Sequence, residues 1–363
     1  YFLFDGTRYP TGIVTPSLIN PELTWEKSTT KNLGFDFTFL QNRLTFCADI
    51  FERKVTDILI PGGKDYPALI GDDNLPFENA GVLKTTGFEL QAKWSDKLSN
   101  GFAYSVGVAL SDDKAEVLSY PSNPTNKIGD GVLYKGYTVG DIWGYETGGI
   151  LQESDFDGVG PNGKPLYHGA YFKGGQPYPG YVWYQDLDHD GVITSGLSTV
   201  DDPGDKKVIG NNAPRYRYNI TANFQYKGFD LDLMFQGVGK RDYWLKDVSS
   251  YWGGGAGSWE TYNQSWTPER TDAKFPMYGS GIGSYAQSGY LLDASYIKLK
   301  QVILGYTFPK ALIGKVGLKK LRLNIAAYNL FTLSDVPKYY DSDYLSDAYP
   351  PKRTFSVGIQ VGF

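Results

Sequence analysis

Six segments of the chain alternate between apolar and polar side chains at a period of two residues. Such alternation predicts β-strands with one apolar face, and the fold class that it predicts here is all-β. The pattern covers residues 32–40, 87–94, 102–110, 216–226, 229–236 and 354–363. In the last of these segments the apolar positions are Phe355, Val357, Ile359, Val361 and Phe363.

The polar faces of these strands carry small or amide side chains, such as Asn219, Thr221 and Asn223, more often than long charged ones. Such residues suit the water-filled or plugged interior of a membrane barrel, whose apolar face meets lipid. Aromatic residues make up 16% of the chain, and membrane barrels place aromatic rings at both water–lipid boundaries. An extracellular β-sandwich or lectin also alternates, so these two features leave it open as an alternative.

The connections between the strands alternate between short and long. Bacterial outer-membrane barrels have short periplasmic turns and long extracellular loops. We therefore expect residues 1–363 to form the carboxyl-terminal part of one transmembrane antiparallel β-barrel domain, with about nine strands, ten if residues 1–4 end another, and with Phe363 on the periplasmic side. The short turns are expected near residues 41–43, 95–100, 227–228 and 309–319, and the long extracellular loops near 60–79, 111–214, 239–293 and 331–352.

The sequence lacks the residues that several classes of function would need. The sequence has no stretch of about 18 apolar residues, which a membrane-spanning helix would need. The net charge of −5, with both signs mixed, argues against nucleic-acid binding. The lone cysteine, Cys47, excludes an intrachain disulfide, and the two histidines, His168 and His189, have no convincing catalytic partners, so we expect no enzyme.

The first residues predict that more protein precedes them. No secretory signal opens the chain. Tyr1 lies in a segment that has the character of mid-protein sequence, and we expect the natural polypeptide to begin upstream.

One loop has the opening of a calcium site. Asp186, Asp188 and Asp190 occupy loop positions 1, 3 and 5, and Gly191 at position 6 permits a sharp turn. Val192 would offer its carbonyl oxygen, but position 12 holds Leu197 where a closing acid is expected. Three carboxylates this close repel one another without a cation, so a structural Ca²⁺ and an ion-free acidic turn both stay open.

The long loops are rich in aromatic residues, which could stack on a ligand. They could equally pack the loops against one another or contact a partner protein. The candidates for contact with a substrate or a covering partner are Trp143, Tyr145, Trp183, Trp244 and Trp252.

A series of short motifs resembles the SusC/RagA family of TonB-dependent transporters, in the order of that family. Each motif is weak alone, but the series is specific. The motifs are NPELTWE (20–26), NLGFDF (32–37), NAG with TGFEL (79–90), YTVGDIWGYETGGI (137–150), DLDHDGVI with VIGN (186–211), YKGFDL with FQG (226–237), ASYIKLK with LGY (294–306) and NLFT (329–332).

The resemblance implies the carboxyl-terminal part of a 22-strand barrel, with the amino-terminal plug outside this sequence. It also implies the outer membrane of a Gram-negative bacterium of the Bacteroidota, a SusD-like lid lipoprotein, and energy supplied by TonB through the missing amino-terminal part. In this family the acid that closes the calcium loop precedes VIG, which points to Asp205, with Asp201 and Asp202 as rivals. The final strand, from Phe355 to Phe363, looks like the signal read by the barrel-assembly machinery during insertion.

The leading expectation is TonB-dependent uptake of a large nutrient, either a glycan or a peptide. The alternative is a SusC-like barrel that serves as a structural or assembly subunit of an outer-membrane complex. A soluble β-rich lectin or enzyme is the third class, and partitioning of the protein into water without detergent would favour it.

Overall fold

Nine strands form one antiparallel sheet in the computed structural model, and each strand pairs with its neighbours in the chain. The structure describes residues 2–4, 7–9, 20–62, 76–244, 262–280, 285–336, 340–345 and 351–363. The strands are β1 (Lys27–Phe39), β2 (Leu44–Pro61), β3 (Phe77–Lys97), β4 (Ala103–Ser119), β5 (Arg215–Tyr226), β6 (Phe229–Lys240), β7 (Tyr296–Thr307), β8 (Lys320–Leu333) and β9 (Thr354–Gly362).

The connections alternate strictly, as the sequence predicts. Short ones join β1 to β2, β3 to β4, β5 to β6 and β7 to β8, and the last of these contains a short α-helix (Lys310–Ile313) and a 3₁₀ turn (Gly314–Val316). Long ones follow β2, β4, β6 and β8. We call the two ends of the sheet the turn end and the loop end, and β9 runs towards the turn end.

The strands reach further towards the loop end than the sequence pattern predicts. The connection expected from residue 111 starts only after Ser119, where β4 ends. Alternation stops near Leu110 because Asp112, Asp113 and Glu116 follow, yet the backbone pairing with β3 continues to Ser119. Backbone hydrogen bonds hold the ladder whatever the side chains are, so the hydrophobic pattern marks only part of each strand.

The register places apolar side chains opposite one another on a single face of the sheet. Leu33 of β1 lies opposite Ile50 of β2, which in turn lies opposite Phe88 of β3. This face is strongly exposed: Ile359 of β9, for example, keeps 68% of its accessible surface. A water-soluble sheet would bury such a face, whereas a membrane barrel turns it towards lipid.

The long connections fold into what we call the outer-loop assembly, residues 120–214, 262–280 and 285–295. Buried aromatic and aliphatic residues form its cores, such as Tyr145, Val182, Tyr184 and Ile193. Its paired short strands are Asp141–Tyr145 with Lys206–Asn211, Thr147–Ile150 with Val182–Tyr184, Tyr171–Phe172 with Val192–Ile193, and Asp242–Tyr243 with Leu292–Asp293 at its margin; 3₁₀ turns cover Glu153–Asp155 and Ser288–Tyr290.

The expected tenth strand is not part of this sheet. Phe2–Phe4 pairs instead with Thr7–Tyr9 in a separate hairpin. Among the described residues, none of the helices is both long and apolar enough to span a membrane.

Candidate functional site

The polar face of the sheet carries a recess of about 820 Å³ that extends from the middle of β3 and β4 to the loop ends of β5, β6 and β7. Its lining comes from alternate positions of neighbouring strands, because every second side chain points to the same face. Acidic, basic and amide groups share this lining: Asp49 of β2, Glu89 and Gln91 of β3, and Arg217 and Asn219 of β5. Such mixed polarity suits hydrogen bonding to a polar ligand.

Towards the turn end, an ion pair ties two strands together across a third. The Arg322 guanidinium of β8 reaches over β7 and donates two hydrogen bonds to the Asp230 carboxylate of β6. Gly305 of β7 lies between them, and a Cβ at that position would overlap both charged groups. Because residue 305 is a glycine, Arg322 and Asp230 can pair across β7, where a larger side chain would separate them.

Ion pairs hold residues 341–343, in the long connection between β8 and β9, against β7. Lys298 is only 3% exposed, and its Nζ lies 2.5 Å from Asp341 and 2.9 Å from Asp343. Lys300 adds a second cation 3.2 Å from Asp343. Burying an ammonium group is costly unless it is paired, so this segment is held firmly at the loop end of the recess, which Asp343 itself lines.

The predicted calcium loop brings three carboxylates together. Ligand oxygens of Asp186, Asp188 and Asp205 all lie within 4.8 Å of one another. Asp205 is fully buried, and its two oxygens accept the N–H groups of Leu187 and Thr194 at 2.7 Å each. Each carboxylate oxygen has a second lone pair that these hydrogen bonds leave free for a hard cation.

Of the other two members of the predicted ligand set, Asp190 lies outside this trio. The Asp190 carboxylate accepts the N–H of Val192, at 2.8 Å, in an exposed turn. Val192 itself belongs to a short strand that pairs with Tyr171. The rival acids Asp201 and Asp202 are exposed and lie outside the trio.

The charges of the trio act on one another. Burial raises the pKa of the Asp188 carboxyl, and the nearby carboxylates of Asp205 and Asp190 raise it further. At Asp186 burial acts in the same direction, but N–H donors from Gly191 and His189 outweigh it and the net pKa is lowered. A cation would favour the ionised form of both acids. The calcium site stays a prediction that this geometry permits.

Two of the aromatic candidates, Trp143 and Tyr145, pack the loops against one another. Trp143 donates its indole N–H to Tyr134 Oη at 2.9 Å and packs beside Val117 and Tyr137. Tyr145 is 3% exposed, with Phe172, Tyr184 and Tyr285 around its ring. The structure gives these two residues a packing role, and it leaves their contact with a ligand untested.

The other three candidates differ from one another. Trp183 lies over Gly148, where a Cβ would overlap its ring, and it lines a small cavity in the outer-loop assembly. Trp244 is half-buried just after the Asp242–Tyr243 strand. Trp252 lies outside the described residues. Contact between these residues and a ligand or partner stays a prediction.

Comparison with known sequences identifies the sheet. The sequence model described as TonB dependent receptor-like, beta-barrel matches residues 2–330. The chain belongs to this family. Membership places the nine strands of this TonB-dependent receptor barrel in the wall of an outer-membrane barrel, with the apolar face towards lipid and the polar face towards the interior.

Curated relatives agree along almost the whole chain. TonB-dependent receptor P3 of Formosa agariphila is 27% identical over 99% of this chain and 36% of its own length. TonB-dependent receptor SusC of Bacteroides thetaiotaomicron is 26% identical over 99% of this chain and 34% of its own length. The resemblance to SusC is thus confirmed, and the chain spans about a third of the length of the relatives it matches.

Solved structures show the same fold. The RagAB peptide transporter aligns with a TM-score of 0.71 at 21% identity, over 95% of this chain and 36% of that chain. At this identity the likeness concerns the fold alone. It confirms the prediction of a large antiparallel barrel of which this chain forms a part.

The last strand of this receptor barrel exposes the apolar residues that the sequence singles out. Phe355, Val357 and Ile359 are 69%, 77% and 68% exposed, and Val361 and Phe363 share their parity. Their partners across the ladder, such as Ile325 and Leu323 of β8, continue the apolar face. A role as an assembly signal stays a prediction.

Sequence patterns missed the contacts between distant segments. No local motif indicates the Arg322–Asp230 ion pair across Gly305, or the ion pairs of Lys298 with Asp341 and Asp343. The register could have indicated the first, because Asp230 lies opposite Gly305, and Arg322 lies opposite Thr307, two residues further along β7 on the same face. Nothing local indicates the second.

Proposed function

We propose that the full-length protein imports a large nutrient, a glycan or a peptide, across the outer membrane with energy from TonB and a SusD-like lipoprotein as a lid. The polar recess of about 820 Å³ beneath a folded outer-loop assembly supports the proposal most directly. A cargo of several sugar or amino-acid units needs such an interior, because it must exchange its bonds to water for bonds to the wall.

The source organisms of the relatives, Formosa and Bacteroides, support a member of the Bacteroidota as the host. We also propose that Asp186, Asp188 and Asp205 hold a structural Ca²⁺ that stiffens the outer-loop assembly. The close approach of their oxygens within 4.8 Å supports this second proposal.

Two neighbouring residues of β5 offer a matched test of transport. Asn219 lines the recess, whereas Ile220 belongs to the opposite, lipid-facing parity. We expect Asn219→Trp in the full-length protein to reduce uptake of cargo, because the indole fills recess volume. Ile220→Trp should leave uptake unchanged, because the indole enters lipid.

The measurement is accumulation, in the native host, of a fluorescently tagged tryptic peptide mixture and a tagged polysaccharide hydrolysate. Equal uptake by wild type, Asn219→Trp and a deletion strain would refute transport. If the deletion instead removed other membrane proteins from the complex isolated in detergent, the structural-subunit alternative would replace it. Native mass spectrometry of that complex would show whether a lid lipoprotein and a ligand are bound.

A further inference from the structure

The outer-loop assembly encloses a second, smaller cavity of about 210 Å³. It lies apart from the recess in the barrel wall, and none of the described residues lines both. Its walls are chiefly ring faces and aliphatic groups, and the lining residues that the structure describes carry no charge. The rings come from Tyr167, Tyr171, Phe172, Tyr181, Trp183, Tyr184 and Tyr285.

The walls of this cavity are held in place before any ligand arrives. Trp183 and Tyr184 belong to a strand that pairs with residues 147–150. Phe172 pairs with Ile193, which is 1% exposed. A cavity of about 150 Å³ lined by apolar groups is large enough to admit benzene. This cavity therefore has room for one aromatic ring and cannot hold a chain of several sugar units.

The chemistry of the lining favours an aromatic ring over a sugar ring. A sugar carries several hydroxyls, and each needs a hydrogen-bond partner when it is buried. The lining offers mostly carbon surface. Among its described residues, the buried polar side-chain atoms without a hydrogen-bond partner are Tyr184 Oη and Ser280 Oγ, fewer than the hydroxyls of one sugar ring. An aromatic side chain, in contrast, gains from contact with ring faces at little polar cost.

The surroundings of the cavity add a charge preference. Residues 120–214 contain twelve acidic and six basic side chains, so the largest loop is strongly acidic. Asp155 is close enough to Tyr167 of the cavity wall that, after burial, its carboxylate raises the pKa of the Tyr167 phenol. A cationic ligand would be attracted to this region and an anionic one repelled.

We propose that this cavity is a subsite for one aromatic side chain of a basic peptide, with the acidic loop attracting the lysine or arginine residues that flank it. This proposal rests on the transport function proposed above and narrows its cargo to cationic peptides. The cavity favours peptides that carry an aromatic side chain, and the surrounding carboxylates favour peptides with a positive charge.

Three capped tripeptides test both halves of the proposal on the intact transporter purified in detergent: acetyl-Lys-Phe-Lys-amide, acetyl-Lys-Gly-Lys-amide and acetyl-Glu-Phe-Glu-amide. Calorimetric titration should show the first binding about tenfold or more tighter than the second, since a buried phenyl group contributes that much. It should also bind more tightly than the third, and this difference should shrink as salt is added.

A matched pair of variants locates the binding. Ala170 lines the cavity, so Ala170→Leu should fill it and remove the advantage of the phenylalanine peptide over the glycine peptide. Val159 is 69% exposed and lies outside the lining, so Val159→Leu should preserve that advantage. Resistance of the loops to added protease would show that each variant remains folded.

The comparison of peptides on the unaltered protein decides the outcome even if Ala170→Leu fails to fold. Equal affinity for the phenylalanine and glycine peptides, or preference for the glutamate peptide, would overturn the proposal. Displacement of the phenylalanine peptide by methyl glucoside would also overturn it, in favour of a sugar subsite. Selective binding without any uptake of the same peptides by cells would refute transport and leave the subsite standing.

Discussion

The barrel wall and the outer-loop assembly are built by different physics from the same chain. In the wall, neighbouring strands follow one another in sequence, and each strand turns its apolar side chains outwards. In the outer-loop assembly, rings brought from distant positions, such as Tyr145, Phe172 and Tyr285, pack against one another. The wall relies on lipid to cover its apolar surface, whereas the loops need a core of their own.

Removing one central ring should separate the two regions. We expect Tyr145→Ala to loosen the outer-loop assembly by about 3–5 kcal/mol, as other large-to-small core substitutions do. The wall should remain intact, because Tyr145 belongs to no strand of the nine-stranded sheet. Protease added to cells should then cut the loops, while the barrel keeps its heat-dependent shift on gels run in detergent.

Leu197 provides the control, since it is 75% exposed. Leu197→Ala should leave the loops as resistant to protease as they are in the wild type. A barrel that lost its heat-dependent shift in Tyr145→Ala would show that the two regions fold as one unit, against the comparison drawn above.

The reverse experiment targets the wall. Gly305→Ala places a Cβ against the charged ends of the Arg322 and Asp230 side chains, which must then move apart. Losing a hydrogen bond between charged groups costs about 1.5–3 kcal/mol. Gly314→Ala is the matched control, because its added Cβ would meet no atom of the described residues outside its own turn within 4 Å. Unfolding of the purified barrel in urea should shift to lower concentration for Gly305→Ala alone. Identical curves for the two variants would show that the ion pair adapts without cost.

Sequence patterns predicted the wall well because its rules are local. Alternation at Phe355–Phe363, and a turn at Lys227–Gly228, each need only a few neighbouring residues. The patterns did not predict the full length of β4, because Asp112 and Asp113 interrupt the alternation although the strand continues to Ser119. There the ladder is held by the backbone and by ion pairs to Arg215 and Arg217 on β5, which no local window contains.

Only the part of the candidate site that lies within a sequence motif could be predicted. The loop motif, with the resemblance to the family, selected Asp186, Asp188 and Asp205, which the structure brings together. It also selected Asp190, whose carboxylate faces its own turn instead. The cavity at Trp183 and Tyr184 needed coordinates, because its walls come from several separate segments.

Calcium should stabilise the loops without affecting the wall. Binding to the folded state alone stabilises by about 2.7 kcal/mol when the ion is at a hundred times its dissociation constant. We therefore expect added Ca²⁺ to slow proteolysis of the outer loops and EDTA to reverse this effect. Asp188→Asn should abolish the difference, whereas Asp201→Asn, outside the trio, should keep it. Equal proteolysis with Ca²⁺ and with EDTA in the wild type would count against the ion.

The smallest expected effect is a dependence on alkaline pH that belongs mainly to the loops. Burial raises the pKa of the Tyr145 phenol from 10.0 to about 12, and the nearby Tyr285 and Asp205 act in the same direction. Between these two values the unfolded loop loses the proton while the folded loop keeps it, so stability falls as pH rises through this window. Burial also raises the pKa of Tyr184 and Tyr290, which adds to the trend.

Protease cleavage of the loops should therefore increase steadily above about pH 10, the ordinary pKa of tyrosine. Tyr145→Phe keeps the ring but has no proton to lose, so its cleavage should rise less steeply with pH than that of the wild type. The wall should change less over the same range, because Tyr296 is the buried tyrosine of its described strands, whereas Tyr145 and Tyr184 are buried together in one cluster of the loops. A parallel loss of the heat-dependent gel shift in that range would mean that alkaline pH acts on the whole barrel and not on the aromatic core of the loops.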